Sequence, residues 1–364
     1  MNLADLPTPC LILDRGKVAR NCTRFRDRAE QLGVTLRPHL KTAKNAEVGR
    51  LAYGGDAGPV TVSTLREAEY FFDHGFTDIT YAVGITPDKF TRAAALIARG
   101  ADLKVVTDEA GTAVALAAHG APFRVLAEVD CGGGRGGVDG ESDDLLAIAG
   151  ALGPLLAGVM THAGQSYDCR DTAAIAAVAE HERATVVAAA DRLRAAGHDC
   201  AIVSVGSTPT ALFAETLDGV TEMRPGVYTL MDLFQASIGV CELDDIAVSV
   251  LATVIRHRDD AMLIDAGGLA LSMDRSTARG PKDYALGLIC DAGGNPIEEL
   301  LVGKTNQEHG FVRGPSLPFD RLPVGARVRV LPNHACMTAA AHDRYFVVDG
   351  GSEVIAEWER CNGW

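Results

Sequence analysis

The chain has no apolar run long enough to span a membrane, no excess of basic residues and no paired cysteines, and each absence removes a class of function. Lys and Arg number 34 against 48 Asp and Glu, a formal net charge of −14. That balance argues against nucleic acid or an anionic membrane as partner, because both reward a basic surface. An anionic ligand would then need a locally positive pocket. The nine cysteines stand at 10, 22, 131, 169, 200, 241, 290, 336 and 361. An odd number without paired spacing reads as reduced thiols in a cytoplasm, not as a disulfide framework. Met1-Asn2-Leu3-Ala4-Asp5 carries no signal-peptide pattern, which agrees with that compartment. Internal repeats, low-complexity segments and long linkers are missing as well. What remains is an ordinary globular composition, 47% hydrophobic and 23% charged, over 364 residues. That length predicts about two domains, or one barrel with an appendage.

Along the first two-thirds, short apolar runs alternate with Ala-rich amphipathic stretches. Strand-like runs fall at 35–40, 60–63, 78–83, 103–107, 124–130, 157–162 and 201–205, and helix-like stretches at 18–32, 64–74, 87–99 and 172–196. Such alternation predicts a parallel sheet, and about eight units close a barrel. A doubly wound open sheet is the competing architecture. The barrel is preferred because informative residues follow many different strands, and a barrel gathers all those ends at one mouth. From about Asp244 the texture turns β-rich, with runs at 248–257, 261–265, 327–331 and 345–349. The expected fold class is therefore α/β, a (β/α)8 TIM-type barrel over 14–243 with a second, mostly β domain over 244–364. Pro7-Thr8-Pro9-Cys10-Leu11-Ile12-Leu13 is a further strand that either domain could take. We assign residues 1–13 to the β domain.

The most informative segment is Arg37-Pro38-His39-Leu40-Lys41-Thr42. Val34-Thr35-Leu36 favours a strand, Pro38 blocks helix around it, and Lys41 falls where the strand ends. A lysine in a desolvated, cation-rich pocket loses its proton and becomes an amine nucleophile able to form a Schiff base. A surface lysine after a strand is the alternative. Val205-Gly206-Ser207-Thr208-Pro209-Thr210 can bring backbone amides and two hydroxyls onto an oxyanion, or form a plain turn. It lacks the glycine patterns of nucleoside triphosphatases and dinucleotide folds, so a small phosphate-bearing cofactor is favoured over ATP or NAD.

Glu128-Val129-Asp130-Cys131-Gly132-Gly133-Gly134-Arg135-Gly136-Gly137 sets five glycines around one arginine. Such a backbone can approach a ligand closely while the guanidinium reaches it. A flexible loop with an incidental arginine is the alternative. Thr161-His162-Ala163-Gly164-Gln165-Ser166-Tyr167 puts a histidine at a strand end, where it can stack on a flat cofactor or simply bond to backbone. Glu222-Met223-Arg224-Pro225-Gly226-Val227-Tyr228 groups a charge, a bare amide and a phenol. In Pro332-Asn333-His334-Ala335-Cys336 an imidazole and a thiol stand two residues apart. In an extended segment both would point to one side and could bind one ion. Nitrogen plus sulfur suits zinc, with positions left for water or substrate. A buried histidine beside an inert cysteine is the alternative.

In this order, Arg-Pro-His-x-Lys-Thr, the Gly-rich Arg loop, His-x-Gly-x-Ser-Tyr, Gly-Ser-Thr-Pro and Pro-Asn-His-x-Cys resemble the fold-type III pyridoxal-phosphate enzymes. Within them the closer likeness is to the D-serine dehydratase and D-threonine aldolase group, over nearly the whole chain. The resemblance implies an alanine racemase-like barrel that binds pyridoxal 5'-phosphate. It implies that Lys41 forms the Schiff base with the cofactor aldehyde and, once released, removes the substrate Cα proton. Arg135 would lie near the cofactor's phenolate oxygen and His162 against its pyridine ring, with Tyr167 also in the cofactor site. Gly206, Ser207, Thr208, Gly226 and Tyr228 would hold the phosphate. Arg224 would face the pyridine nitrogen, keep it unprotonated and make the ring a weaker electron sink. His334 and Cys336 would bind a divalent metal and join Lys41 in catalysis, with zinc first and manganese or magnesium as alternatives.

The His-x-Cys form resembles D-serine dehydratases with zinc, whereas D-threonine aldolases more often carry His-x-Asp. The expected activity is therefore elimination from a D-3-hydroxy amino acid such as D-serine or D-threo-3-hydroxyaspartate, because a metal-bound hydroxyl leaves more readily. Retro-aldol cleavage to glycine and an aldehyde is the second reading, and racemisation ranks lower. A non-catalytic cofactor carrier predicts a single-domain chain, and a structural zinc module needs more than two ligands. The resemblance also suggests a homodimer acting on a small D-amino acid, in the cytoplasm that the cysteines indicate and without the nucleic-acid or membrane partner that the charge argues against. The polar loop of Thr305, Gln307, Glu308 and His309 before Gly310 is expected to touch substrate.

Overall fold

The computed structural model describes the whole chain, residues 1–364, apart from the side chain of Glu298. It divides into two compact units. The barrel unit comprises Thr23–Lys41, Gly49–Gly226 and Gly363–Trp364, and the β unit Met1–Cys22, Thr42–Val48 and Val227–Asn362. The chain thus leaves the barrel unit at the peptide bonds after Lys41 and after Gly226.

Eight parallel strands build the barrel unit. Their spatial order is Thr35–Leu36, Glu222–Met223, Ile202–Val205, Leu156–Met160, Arg124–Glu128, Asp102–Thr107, Asp78–Gly84 and Val60–Val62. A parallel bridge from His39 to Thr61 joins the first strand's extension to the last strand, so the sheet closes as expected. The regular first strand is short because Pro38 has no N–H to donate. Its neighbours continue the ladder: Arg37 N donates to Met223 O, His39 N to Pro225 O and Leu40 N to Thr61 O, at 2.8–2.9 Å.

Helix starts follow capping chemistry. Thr64 accepts from Glu67 N ahead of Leu65–Asp73, and Asp171 accepts from Ala174 N ahead of the 24-residue helix Thr172–Ala195. Helix Ala110–His119 ends at Gly120, whose φ of 78° suits a residue without Cβ. A ladder of charges crosses the barrel interior. Arg37 bonds Glu222 at 2.7 Å and Asp78 at 2.6 Å, and Lys104 bonds Asp78 and Asp102, both at 2.6 Å. The side chains of Arg37 and Lys104 are only 5% and 2% exposed, and each cation has two carboxylates. Burial opposes the charge on Arg37, but Glu222 and Asp78 outweigh it and raise its pKa.

The β unit is a nine-stranded, mostly antiparallel sheet. Six strands, Val248–Arg258, Ala261–Ile264, Gly310–Arg313, Pro296–Thr305, Gly287–Cys290 and Arg327–Pro332, pair in a closed ring. Cys10–Asp14, Arg344–Val348 and Ala356–Glu359 extend it outward from Val248–Arg258. Leu3, Leu6, Cys10, Ile12, Leu251 and Val348 form one buried cluster of this unit. Each fully buried leucine or isoleucine there stabilises the fold by about 1.5–3 kcal/mol. Among the described residues, no helix is long and apolar enough to cross a membrane.

Candidate active site

Leu40 N donates to Thr61 O at 2.9 Å, and Lys41 is the next residue. Lys41 is exposed, not desolvated as the sequence reading supposes. Its positive charge nevertheless reaches two imidazoles of the barrel unit. His39 is driven well below the ordinary histidine range by burial, then by Lys41 and Arg224. His162 falls to about 3 by burial, then by Lys41. Both rings are neutral at ordinary pH.

His162 Nδ1 lies 2.5 Å from Gly206 O, tying two neighbouring strand ends together. Behind them sits Glu182, a fully buried residue in the middle of helix Thr172–Ala195. One of its oxygens accepts from both Ala163 N and Gly206 N at 3.0 Å. Ser207 Oγ is 2.9 Å from Ser166 Oγ and 2.9 Å from Thr210 Oγ1, while Gly226 N donates to Thr208 Oγ1 at 3.3 Å. Four of the five residues expected around a phosphate thus form one buried cluster in the barrel unit. Tyr228, the fifth, is buried in the β unit two residues beyond Gly226. Gly206 has φ of 150°, and a Cβ there would stand 2.5 Å from Arg224 N, so only glycine fits. A Cβ on Gly226 would press against His39 at 3.0 Å.

Arg224 is buried, with its terminal nitrogens donating to Ser204 Oγ and Thr161 O. Burial works against its charge, and Glu222 and Glu182 support it. Arg135 is exposed at the rim of a cleft of about 360 Å³, which Glu128, Asp130, His162, Gly164 and Gln165 also line. Its loop is anchored rather than loose. Asp130 Oδ1 accepts from Gly132 N and Gly133 N at 2.9 Å, and Asp108 accepts from Gly137 N at 2.7 Å. Gln165 Nε2 donates to Cys131 O at 2.7 Å. Tyr167 lies in the same short turn as Gln165, half-buried.

In the β unit, the segment expected to be extended is not. Strand Arg327–Pro332 ends, and His334 caps a short helix, Ala335–Ala340, with Cys336 in its first turn. The reason is local: Ala-Cys-Met-Thr-Ala-Ala favours helix, and Asp232 accepts from Ala335 N at 2.9 Å, satisfying one of the first orphan amides. The two side chains still meet, through a hydrogen bond between His334 and Cys336. Cys336 Sγ also lies 3.0 Å from Thr42 Oγ1, on the residue that follows Lys41. Asp274 Oδ2 is 3.1 Å from His334 Nδ1. Burial lowers the His334 pKa, but bonds to Asp274 and Cys336 overcome it and hold the ring at about 11.

Asn333 fixes the segment from the other side, donating to Thr277 Oγ1 at 2.6 Å and Ala285 O at 2.7 Å. Three non-glycine residues with positive φ flank these contacts: Met231 at 51°, Ser272 at 70° and Ala285 at 50°. Each left-handed conformation costs about 1–2 kcal/mol, strain that tends to collect at functional sites. Thr305 is half-buried, and Gln307, Glu308 and His309 are exposed. Carbonyls of residues 306 and 307 receive Gly268 N and Leu269 N.

The donor set of the barrel unit fits a flat, phosphate-bearing aldehyde: an accessible amine, a neutral imidazole, a guanidinium and hydroxyls beside a glycine. His334 and Cys336 fit a divalent ion in chemistry, as one nitrogen and one sulfur in an anionic setting. Among the described residues no cluster of three or more such ligands occurs. Sequence reasoning missed Glu182, Asp232 and Asp274, whose roles arise from tertiary placement. Only Asp232, at a helix cap, carries a local signal.

The family described as "Alanine racemase, N-terminal domain" matches residues 13–233, and "Putative serine dehydratase domain" matches 247–348. The D-threo-3-hydroxyaspartate dehydratase of Delftia sp. (strain HT23) is 44% identical over 379 residues, covering 100% of this chain and 99% of that protein. Its solved structure superposes with a TM-score of 0.97, covering both chains fully. A cysteine-to-alanine mutant of a D-threo-3-hydroxyaspartate dehydratase, in the metal-free form, superposes at 0.96, with 44% identity over 100% of each chain. The D-serine dehydratase of Dictyostelium discoideum is 29% identical over 398 residues, covering 100% of this chain and 98% of its own. The D-threonine aldolase of Filomicrobium marinum superposes at 0.86 with 26% identity, covering 99% and 96% of the two chains. This chain therefore belongs to the fold-type III pyridoxal-phosphate enzymes, in the branch that joins the D-serine and D-threo-3-hydroxyaspartate dehydratases to the D-threonine aldolases.

Proposed function

We propose that this protein is a pyridoxal-phosphate- and divalent-metal-dependent lyase that converts D-3-hydroxy amino acids, D-threo-3-hydroxyaspartate or D-serine, to a 2-oxo acid and ammonia. The observation that carries this reading is the full-length 44% identity to a D-threo-3-hydroxyaspartate dehydratase. When bound, the cofactor supplies a sink for the electron pair left as the Cα–H bond breaks. Lys41 Nζ takes the Cα proton. Its exposure gives substrate access, and the neutral His39 and His162 add no charge against an incoming ammonium group. Ser207, Thr208 and Gly226 would hold the phosphate, and Arg135 would meet the cofactor from the anchored glycine loop. Arg224, held by Ser204 and Thr161, would face the ring nitrogen as a donor and keep it unprotonated.

His334 and Cys336 would hold the ion, zinc in the first instance, whose Lewis acidity stabilises a departing hydroxide. The Cα proton and the β-hydroxyl leave as water, and the resulting 2-imino acid takes water back to release ammonia. The aldolase reading has support in the 26% identical D-threonine aldolase structure. A thiol where such enzymes more often carry a carboxylate favours elimination.

The test is product identity with D-threo-3-hydroxyaspartate, D-serine and D-threonine, with and without added zinc. One 2-oxo acid and one ammonia per substrate are expected from the first two. Glycine with an aldehyde, and no 2-oxo acid, would overturn the proposal in favour of retro-aldol cleavage.

A further inference from the structure

Metal ligands need their own supports. A histidine binds an ion well only when its other nitrogen is held by an acceptor, which fixes both the tautomer and the ring plane. In the β unit His334 Nδ1 already faces Asp274 Oδ2 at 3.1 Å, which leaves Nε2 for an ion. Asp274 is itself fixed, accepting from Ser276 N at 2.8 Å and Ser276 Oγ at 2.5 Å. The peptide between the two ligands is held as well, because Asp232 Oδ2 accepts from Ala335 N at 2.9 Å and its Oδ1 from Gln235 N at 2.9 Å. Asn333 locks the residue before His334 to Thr277 and Ala285. Loop 272–285 and segment 332–336 are therefore bolted together by side chains, with left-handed backbone at Ser272 and Ala285.

The geometry points to Asp274 as the positioning residue of the ion site: it holds His334 with Nδ1 as donor and Nε2 turned to the metal, so that the site is pre-formed before the ion arrives. Asp232 does the same for the backbone between the ligands. This inference rests on the reading that His334 and Cys336 bind a divalent ion. It adds two carboxylates that take no place among the ligands. Their charge also offsets part of the ion's.

The experiment is a cobalt(II) titration of the pyridoxal-phosphate-loaded protein, followed by the thiolate-to-cobalt absorption and checked by equilibrium dialysis with zinc. Asp274→Ala should weaken binding about 10–100-fold, the usual loss when the outer partner of a ligating histidine is removed. Asp274→Asn keeps an acceptor oxygen of the same shape and should recover part of that loss. At saturating zinc, Asp274→Ala should regain turnover to within a few-fold, and the melting temperature of metal-free protein should change little. Should Asp274→Ala fail to fold, Ser276→Ala, which frees one contact on Asp274 and keeps its charge, should shift the titration in the same direction. Binding by Asp274→Ala within twofold of wild type overturns the inference alone. Absence of ion binding in wild type overturns the metal reading and the inference with it.

Discussion

His162 of the barrel unit and His334 of the β unit are both half-buried, yet their basicities move in opposite directions. Burial lowers both. What separates them is company. His162 faces Lys41, Arg135 and Arg224 and falls to about 3, whereas His334 faces Asp274, Cys336 and Asp232 and rises to about 11. One unit has gathered cations around a neutral ring, which suits an anionic phosphate and a flat aromatic cofactor. The other has gathered anions around a ring that attracts positive charge, which suits a metal ion. Desolvation alone therefore does not set a histidine's basicity, and the sign of its neighbours decides which way it moves.

The strongest way to break this comparison is at Lys41. Lys41→Ala should lose the visible absorption of lysine-bound cofactor and at least about 10⁴-fold in turnover, the upper end of what a general base contributes. An unchanged spectrum would remove the barrel unit's half of the contrast. Cys336→Ala should leave that spectrum intact and lower turnover by about 10²–10³-fold, since Lewis-acid assistance supplies several kcal/mol. Loss of cofactor in this variant would show that the two clusters are not chemically separate. The histidine contrast sharpens the same point through pH. A ring held protonated up to about 11 must give up its proton to a metal. Zinc affinity should therefore rise with pH by about tenfold per unit for each proton released, measured by competition with a chelator. Phosphate-cofactor affinity should lack that dependence on His162, which is neutral throughout.

Arg37→Met leaves the buried Glu222 without its cation, while the half-exposed Asp78 keeps Lys104, and removing one partner of a buried pair costs about 3–5 kcal/mol. Urea unfolding should show that loss, with turnover per folded molecule close to wild type. Arg37 stands in the same motif as Lys41, so a large loss of turnover at full folding would assign it to the chemistry instead.

Much of the barrel was legible because parallel strands announce themselves as apolar runs between amphipathic helices. The run at 35–40 was read as one strand, and its hydrogen bonds do continue to Leu40 although Pro38 shortens the regular part. The segments bearing Lys41, Arg135, His162, Ser207 and Arg224 were legible as strand ends. Period-two reasoning failed at His334 and Cys336, because a strand ends two residues before His334 and a helix begins one after it. They meet at the turn from strand into helix, not along an alternating strand. Glu182, Asp232 and Asp274 could not be assigned from sequence, since a carboxylate's partners come from chain tens of residues away. Glu182 in particular stands between His181 and Arg183 and looks like a solvated helix residue.

Glu182→Gln offers the mildest test, at the residue that links the strand ends. Its single oxygen pairs the amides of Ala163 and Gly206, so Glu182→Ala leaves two buried N–H groups unpaired, each costing about 1–3 kcal/mol. Glu182→Gln keeps an acceptor and should cost less, about 1 kcal/mol, with cofactor affinity reduced modestly. The pH dependence gives the sign. Burial raises the Glu182 pKa above 4.5, against the bonds from Thr210 and the two amides. A carboxyl raised in the folded state contributes stability below its unfolded pKa and loses it as pH climbs through the folded value. Wild type should therefore lose ground to Glu182→Gln as pH rises past 4.5, by about 1.4 kcal/mol for each unit separating folded and unfolded values, and then level off. Urea titrations of both proteins across that range measure the difference directly. A difference independent of pH would mean that Glu182 ionises in the fold as readily as in water. The two loops carrying His162 and Gly206 would then be held by a carboxylate charge, not by a neutral acid.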